Sequence, residues 1–379
     1  MNILCIYGCV GWEPEDAWLH SAGASLFVDN AHNCTISEER LSRIKHDGSY
    51  PELSINYVLE NAKLENKDID IIGYVLNVNA TAIKPNIKKI LKREFENAKV
   101  VFVDHHLAHA SATFFTSPFE DSSILTFDGA GNGFESTMEG HFLVETGFVG
   151  KGHKGKGDSS SYNGIVVMRH FKNGLERKSE FSLGEAYNHY SRIIYSLIEP
   201  KKAEKIENPF IFMETAPGKI MGLCAYGNKD KIKLPDIFEI TYDNYFPTIY
   251  TNPYSDIRQV QKYEPVDLAA WLQYQFEEAL LKYFDNLAYF GFSLDNLCLA
   301  GGCALNVLAN KKILDSGIFK DVYVFPGAND SGLPFGGAIY LVHEYETENN
   351  TEFKIKLPEN IGSLGRAYSV EEILEVVKQ

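Results

Sequence analysis

Strand-rich runs precede helical patterns, and this order is played twice along the 379 residues, a rhythm that suits two mixed α/β lobes facing across a cleft. The first round opens with short β-rich runs at 2–8, 22–28 and 33–39, separated by Gly, Asn and Asp, which predicts an antiparallel meander. A helical pattern follows Pro51, then a strand at 70–77, a helix near 80–95, a strand at 99–103 and an Ala- and His-rich helix at 104–116. The second round opens with a strand at 122–128 and strand-like alternation at 134–147 and 164–182. Helices are predicted at 183–198, 215–226, 265–289, 302–316 and 335–347, with strands at 296–300 and 321–325. The two halves are too dissimilar in sequence to count as a repeat. We expect a first lobe at 1–117, a second at 118–334, and a C-terminal helix and linker at 335–379.

Length supports the division, because 379 residues exceed what one hydrophobic core usually serves. The net charge of −15 argues against a surface that grips nucleic acid throughout, although a local basic patch stays open. Six cysteines form no CxxC pair, and those inside apolar runs read as buried free thiols, which suits a reducing cytosol. The N-terminal run has no basic region or small-residue cleavage site and reads as a buried strand, and no stretch is apolar enough for a membrane span. The expected location is cytoplasmic.

Four motifs carry the chemistry. In His105-His106-Leu107-Ala108-His109, positions i and i+4 share a helix face, so His105 and His109 can offer imidazoles to one metal while His106 points elsewhere. A polar helix face would also produce such a pair, and His106 stands where a zinc protease needs Glu, which argues against hydrolysis by that route. Asp128 ends an apolar run and is followed by Gly129, Gly131 and Gly133. That is either a site where backbone approaches phosphate beside an acid, or an Asp-Gly hairpin turn. The run 299–306 takes an apolar strand into Gly301-Gly302 and Asn306, either an anion-facing turn or a close-packed strand–helix junction. Finally, Asn329 and Asp330 follow a strand, where they can cap a helix or supply a further metal ligand. Taken together, glycine turns, acids and a His pair at strand ends describe a cleft holding a nucleotide with a metal beside its phosphates. The Gly-, Ser- and Lys-rich segment 148–162, with Lys151, Lys154 and Lys156, is either a solvated loop or a mobile lid that meets a phosphate.

These motifs, in this order over nearly the whole chain, resemble the carbamoyltransferases of nodulation-factor and antibiotic biosynthesis, the NodU and tobramycin type. The resemblance also rests on His20-Ser21-Ala22, the run from Glu38 to Asp47, and Gly218 to Leu223 with Tyr226-Gly227. It implies a two-lobed RNase H-like domain of the ATPase (actin–hexokinase) superfamily, akin to the transferase that makes threonylcarbamoyladenosine on tRNA. It further implies a divalent metal, iron first with zinc or manganese as alternatives, held by His105, His109, Asp128 and Asp330. Gly129, Gly131, Gly301, Gly302, Asn306 and Lys219 would serve ATP or carbamoyl-adenylate. His20 would act as general base or hydrogen-bond the carbamoyl oxygen, and Lys45 would stabilise developing negative charge; each has a purely structural alternative.

Two departures stand out. Ser21 occupies a position where the family usually has Asp, and the sequence ends at Gln379 just after a run, 364–369, that resembles the linker into a YrdC-like adenylate-forming domain. A separate protein would supply that half, or the sequence is a piece of a longer one, or the domain does something altered. The implied partners are carbamoyl phosphate, a hydroxyl acceptor (a sugar, natural product or modified nucleotide), a separate YrdC-like protein, and a second copy in a homodimer. Competing functions are a kinase of the same superfamily and a non-catalytic nucleotide-binding partner of a YrdC-like protein.

Overall fold

The structure, a computed structural model, describes residues 1–11, 19–76, 84–131, 141–150, 168–173, 183–203, 209–243, 246–251, 257–289, 295–349 and 355–378. The first five strands are β1 (Asn2–Tyr7), β2 (Gly23–Val28), β3 (Ala31–Ser37), β4 (Ile71–Val75) and β5 (Lys99–Val103), in the order β3-β2-β1-β4-β5. The first three pair antiparallel; β4 and β5 then add parallel to β1. A second sheet is built from β6 (Ser122–Gly131), β7 (His141–Gly150), β8 (Met168–Asn173), β11 (Asn296–Ala300) and β12 (Asp321–Val324). Its order from the far edge is β8-β7-β6-β11-β12, again three antiparallel strands followed by two parallel ones. The same five-strand topology occurring twice is the duplicated RNase H-like plan, so the two-lobed α/β fold expected from the sequence is the fold of the chain. A separate hairpin of β9 (Phe238–Asp243) and β10 (Phe246–Thr251) was not anticipated.

Among the described residues the helices of eight residues or more are α1 (Glu52–Ala62), α2 (Lys84–Glu94), α3 (His105–Thr116), α4 (Leu183–Ile198), α5 (Pro209–Leu223), α6 (Pro265–Tyr289), α7 (Val307–Asp315), α8 (Leu333–Glu348) and α9 (Val370–Val377). Side-chain alternation sorts them into layers. On β1, Leu4 and Ile6 pack toward α1 and α2 with Ile55, Val58, Ile87 and Leu91. Ile3, Cys5 and Tyr7 point the other way, onto Ala108 and Ala112 of α3 and Phe335 and Ile339 of α8. In the second sheet Ile124 and Cys298 meet that same central layer, whereas Leu125, Phe127, Leu297 and Leu299 face α4 and α6 on the outside. The molecule is thus helix, sheet, helix pair, sheet, helix, with α3 and α8 buried between the sheets. Close approach of that pair requires Gly336, where an added Cβ would lie 2.0 Å from the carbonyl oxygen of Ala108.

The C-terminal stretch, assigned from sequence to a helix and linker, does two things. Helix α8 packs back onto the first sheet, and the segment beyond it runs along β3, with Lys356 and Leu364 bonded to His32, Asn30 and Thr35. All six cysteines are free thiols, four of them buried. Among the described residues no helix is long and apolar enough to cross a membrane. The lysines of the 148–162 loop lie outside the described residues.

Candidate metal and nucleotide site

In each sheet the parallel strands, β1, β4 and β5 in one and β6, β11 and β12 in the other, end on the same side, and His105, Asp128 and Asp330 sit at or close to such ends, with His109 one turn further along α3. Helix α3 begins directly after β5. Its N-cap, Asp104, accepts from the Leu107 backbone N–H, which fixes the first turn that carries His105. Both imidazoles are buried, with ring centroids 5.0 Å apart. Leu76, just past β4, accepts a hydrogen bond from His105 Nδ1 at 3.1 Å. That bond places the neutral ring's proton on Nδ1 and turns the Nε2 lone pair inward.

Asp128, near the end of β6, and Asp330, after β12, complete the group. From His105 Nε2 the nearest Asp128 oxygen is 3.1 Å away and the nearest Asp330 oxygen 3.5 Å; from His109 Nε2 the corresponding distances are 3.8 and 3.4 Å. The four ligand atoms all lie within 4.8 Å of one another. Metal–ligand bonds of about 2.0–2.2 Å separate neighbouring donors by roughly 3–3.5 Å and opposite ones by about 4.2 Å, so a small contraction would close this set around one ion. His109 Nε2, buried, makes no hydrogen bond of good geometry and stands 3.4 Å from Asp330 Oδ1, so its lone pair is a ligand such an ion would satisfy. The residues fit a divalent cation. His106, on another face, is fully buried, and burial together with the neighbouring His105 pushes its pKa down to about 3.

Electrostatics without the ion point the same way. Burial alone would lower the His105 pKa, but the carboxylates of Asp330 and Asp128 outweigh it and lift that pKa well above the ordinary histidine value. Burial would raise Asp330, but His105 and His20 hold it well below the usual carboxylate range. Asp128 is raised by burial and by Asp330, and the two histidines still bring it below its ordinary value. The cluster carries buried negative charge that a proton on His105 partly neutralises.

The other predicted residues fall into two sets. Gly301 and Gly302 adjoin Asp128: the Gly302 N–H donates to its Oδ1 at 3.3 Å. Gly301 has φ +84°, and a Cβ there would stand 2.1 Å from the Phe127 carbonyl oxygen, so the turn accepts only glycine without distortion. The long helix expected from 302 starts later, at Val307, after a short 3₁₀ turn at Gly302–Leu305. Asn306 caps it, accepting from Ala309 and exchanging both side-chain bonds with Gln273, so its bonds are made inside the fold. Gly129 and Gly131 close β6, where pairing with β7 is irregular between Phe127 and Gly131. Asp330, open from the sequence to helix capping or metal ligation, is not the cap: Asn329 is the N-cap of the following turn, and the Asp330 side chain points into the cluster.

His20 lies on the other side of Asp330, its Nε2 3.8 Å from Oδ2 and its Nδ1 3.2 Å from Ser21 Oγ. The Asp47 carbonyl accepts from the Ala22 N–H at 2.7 Å, tying the Lys45-bearing segment to the His20 strand end. Both Lys45 and His20 lie within electrostatic reach of His46, whose pKa is lowered by burial and then by Lys45. Lys45 itself is exposed. Lys219 is also exposed, its Nζ donating to Tyr195 Oη at 3.2 Å and lying 4.8 Å from the centroid of that ring. Sequence reasoning missed Tyr7, whose hydroxyl donates to Asp330 Oδ2 at 2.8 Å. Its place at the end of β1 was the sole signal available.

Comparison with known proteins adds family to geometry. The uncharacterised protein sll1178 of Synechocystis is 26% identical over 96% of this chain and 62% of its own length. Nodulation protein NolNO of Sinorhizobium fredii is 29% identical over 87% of this chain and 47% of that protein. Nodulation protein U of Azorhizobium caulinodans is 40% identical over a 74-residue stretch, 19% of this chain and 13% of its own. The chain therefore spans about half to three-fifths of the length of its longer-matching curated relatives. Among solved structures, component A of (R)-2-hydroxyglutaryl-CoA dehydratase from Acidaminococcus fermentans superposes with a TM-score of 0.48 at 14% identity, covering 90% of this chain and 97% of that one. A family model described as Carbamoyltransferase N-terminus matches residues 15–88 and 73–339, nearly the whole of both lobes, and the chain belongs to that family.

Proposed function

We propose that this chain is the transfer domain of an O-carbamoyltransferase, passing a carbamoyl group from carbamoyl-adenylate to a hydroxyl of a sugar, natural product or modified nucleotide. The observation that carries the reading is the convergence of ligand atoms of His105, His109, Asp128 and Asp330 within 4.8 Å of one another. A divalent cation, iron first with zinc or manganese as alternatives, would be held by those four side chains and supply positive charge for the phosphate of the adenylate. The turn at Gly301–Gly302 and the end of β6 at Gly129–Gly131 would admit nucleotide backbone-close, with Asn306 fixing the turn and Lys219 offering a charge to phosphate.

In the transfer step the acceptor oxygen forms a bond to the carbamoyl carbon while the bond from that carbon to the phosphate oxygen breaks, releasing AMP. The acceptor's hydroxyl proton goes to His20, which Asp330 Oδ2 faces at 3.8 Å and Ser21 Oγ at 3.2 Å. Lys45 would stabilise negative charge that develops on the carbamoyl oxygen. The donor would be formed from carbamoyl phosphate and ATP by a YrdC-like partner or domain, and the cytoplasm is the compartment that supplies both. A kinase of the same plan has no use for a buried His pair among its carboxylates.

The test is direct. The chain, loaded anaerobically with Fe(II) or with Zn(II), is incubated with synthetic carbamoyl-adenylate and a panel of alcohols, with metal per chain measured in parallel. We expect about one metal per chain and a carbamate product by mass spectrometry, both lost when His105 and His109 are replaced by Ala. ATP-dependent phosphorylation of the acceptor instead would establish the kinase reading, and nucleotide binding with neither reaction the non-catalytic one.

A further inference from the structure

Both carboxylates of the cluster divide their oxygens between different neighbours: Asp128 turns Oδ2 to the histidines and Oδ1 to the Gly302 N–H, and in Asp330 the second oxygen meets a side chain. Asp330 Oδ1 faces the histidines, 3.5 Å from His105 Nε2 and 3.4 Å from His109 Nε2. Oδ2 turns away from them and accepts the Tyr7 hydroxyl at 2.8 Å, with His20 Nε2 at 3.8 Å. Tyr7 is in turn rigidly placed. It ends β1, the central strand of the first sheet, is 2% exposed, and its ring meets His105 edge-on with centroids 5.8 Å apart. A neutral phenol has one proton to donate, and here that proton is directed at a single carboxylate oxygen.

We propose that Tyr7 is a positioning residue for the metal centre, holding Oδ2 of Asp330 so that only Oδ1 is offered to the cation. The inference rests on the metal reading given above and adds to it a coordination mode. A carboxylate can bind a cation through one oxygen or through two. Tying up Oδ2 removes the second mode and would leave the cation free to accept a further oxygen ligand such as a phosphate oxygen. It also keeps Oδ2 between Tyr7 and His20, so the group proposed to take the acceptor proton and the group that orients the ligand share one oxygen. No step of transfer is assigned to Tyr7.

Replacing Tyr7 by Phe removes the hydroxyl and keeps the ring that packs on α8 and His105. We expect metal affinity, measured by competition with a chromophoric chelator, to fall by about 10–100-fold. The cobalt-substituted variant should show weaker visible absorption than the parent, because a second Asp330 oxygen joins the coordination sphere. A ring that served packing alone would leave that spectrum unchanged. Equal affinities within twofold and superimposable cobalt spectra would overturn the proposal. Should the variant fold poorly, infrared difference spectra of the unsubstituted chain with and without zinc decide the matter. A wide separation of the new antisymmetric and symmetric carboxylate stretches supports one-oxygen binding, and a narrow one overturns it. The double variant His105→Ala/His109→Ala separates the two layers of argument. If it binds metal as the parent does, the metal reading itself fails; if it loses metal while Tyr7→Phe behaves as the parent, only the role of Tyr7 fails.

Discussion

Replacing Asp330 by Asn tests the site most severely, because the change keeps the shape of the side chain and removes its charge. Asp330 is 6% exposed and contributes one of four converging donors. Breaking one partner out of a buried charged set costs about 3–5 kcal/mol. At about 1.4 kcal/mol per tenfold, metal affinity should weaken by roughly two to three and a half orders of magnitude. Without metal the loss should be smaller. His105 gives up a carboxylate that raises its pKa, but Asp128 is also relieved of the repulsion Asp330 exerts on it. A metal-free difference of about 1–2 kcal/mol corresponds to a few degrees in thermal midpoint for a chain of this size. The assay is thermal unfolding with and without zinc, alongside chelator competition. Saturating metal should raise the midpoint of the parent far more than that of Asp330→Asn. If the variant binds zinc within threefold of the parent, or loses equal stability with and without metal, the carboxylate belongs to the fold and the site argument falls.

Four further outcomes follow from the same geometry. Gly301→Ala should destabilise the chain by about 1–3 kcal/mol in urea unfolding, from its positive φ and the clash with the Phe127 carbonyl. Gly336→Ala should cost about 1–3 kcal/mol and also weaken metal binding, since it pushes α8 away from the helix that carries both histidines. In the metal-free chain the combined contribution of Asp128, Asp330 and His105 to stability should be greatest between roughly pH 4 and 6.5. Set against it are buried His106 and His32, whose pKa values, lowered to about 3 and about 4, remove stability as pH falls below 6.5. The contributions of Asp128 and Asp330, whose pKa values are lowered from 3.8, are present above that value and lost as pH falls through the depressed ones; that of His105, raised from 6.5, is present below 6.5 and lost as pH rises through the elevated one. Zinc should remove the alkaline decline, because it takes the place of the His105 proton, and chemical denaturation across pH with and without metal would show it. His20→Ala should lower transfer from carbamoyl-adenylate about 10²–10⁴-fold with metal content unchanged, and a kcat equal to the parent's would remove His20 from the reaction.

Much of this was legible in the sequence because it is local. The His105/His109 pair is a matter of helical periodicity, and the structure keeps both on one face with their rings 5.0 Å apart. Strand ends were marked by apolar runs stopping at Gly or Asp, which is why α3, α4, α6 and the strands β1 to β6 fall close to where alternation put them. Local patterning erred where tertiary contacts set the boundary. The helix read from Gly302 starts at Val307 because Asn306, held by Gln273 from α6, caps it there.

What the sequence by itself determined was the twice-played order of strands and helices and the kinds of donor at the strand ends. Only the tertiary structure decided which donors share a point in space. Asp330 is 225 residues from His105 by the numbering, and no periodicity spans that interval. They meet because each follows the end of a parallel strand, one in each sheet, and α3 and α8 are packed between the two sheets. The same packing placed Tyr7 against one oxygen of Asp330, a relation between residues 323 apart that side-chain chemistry permits and chain topology alone creates.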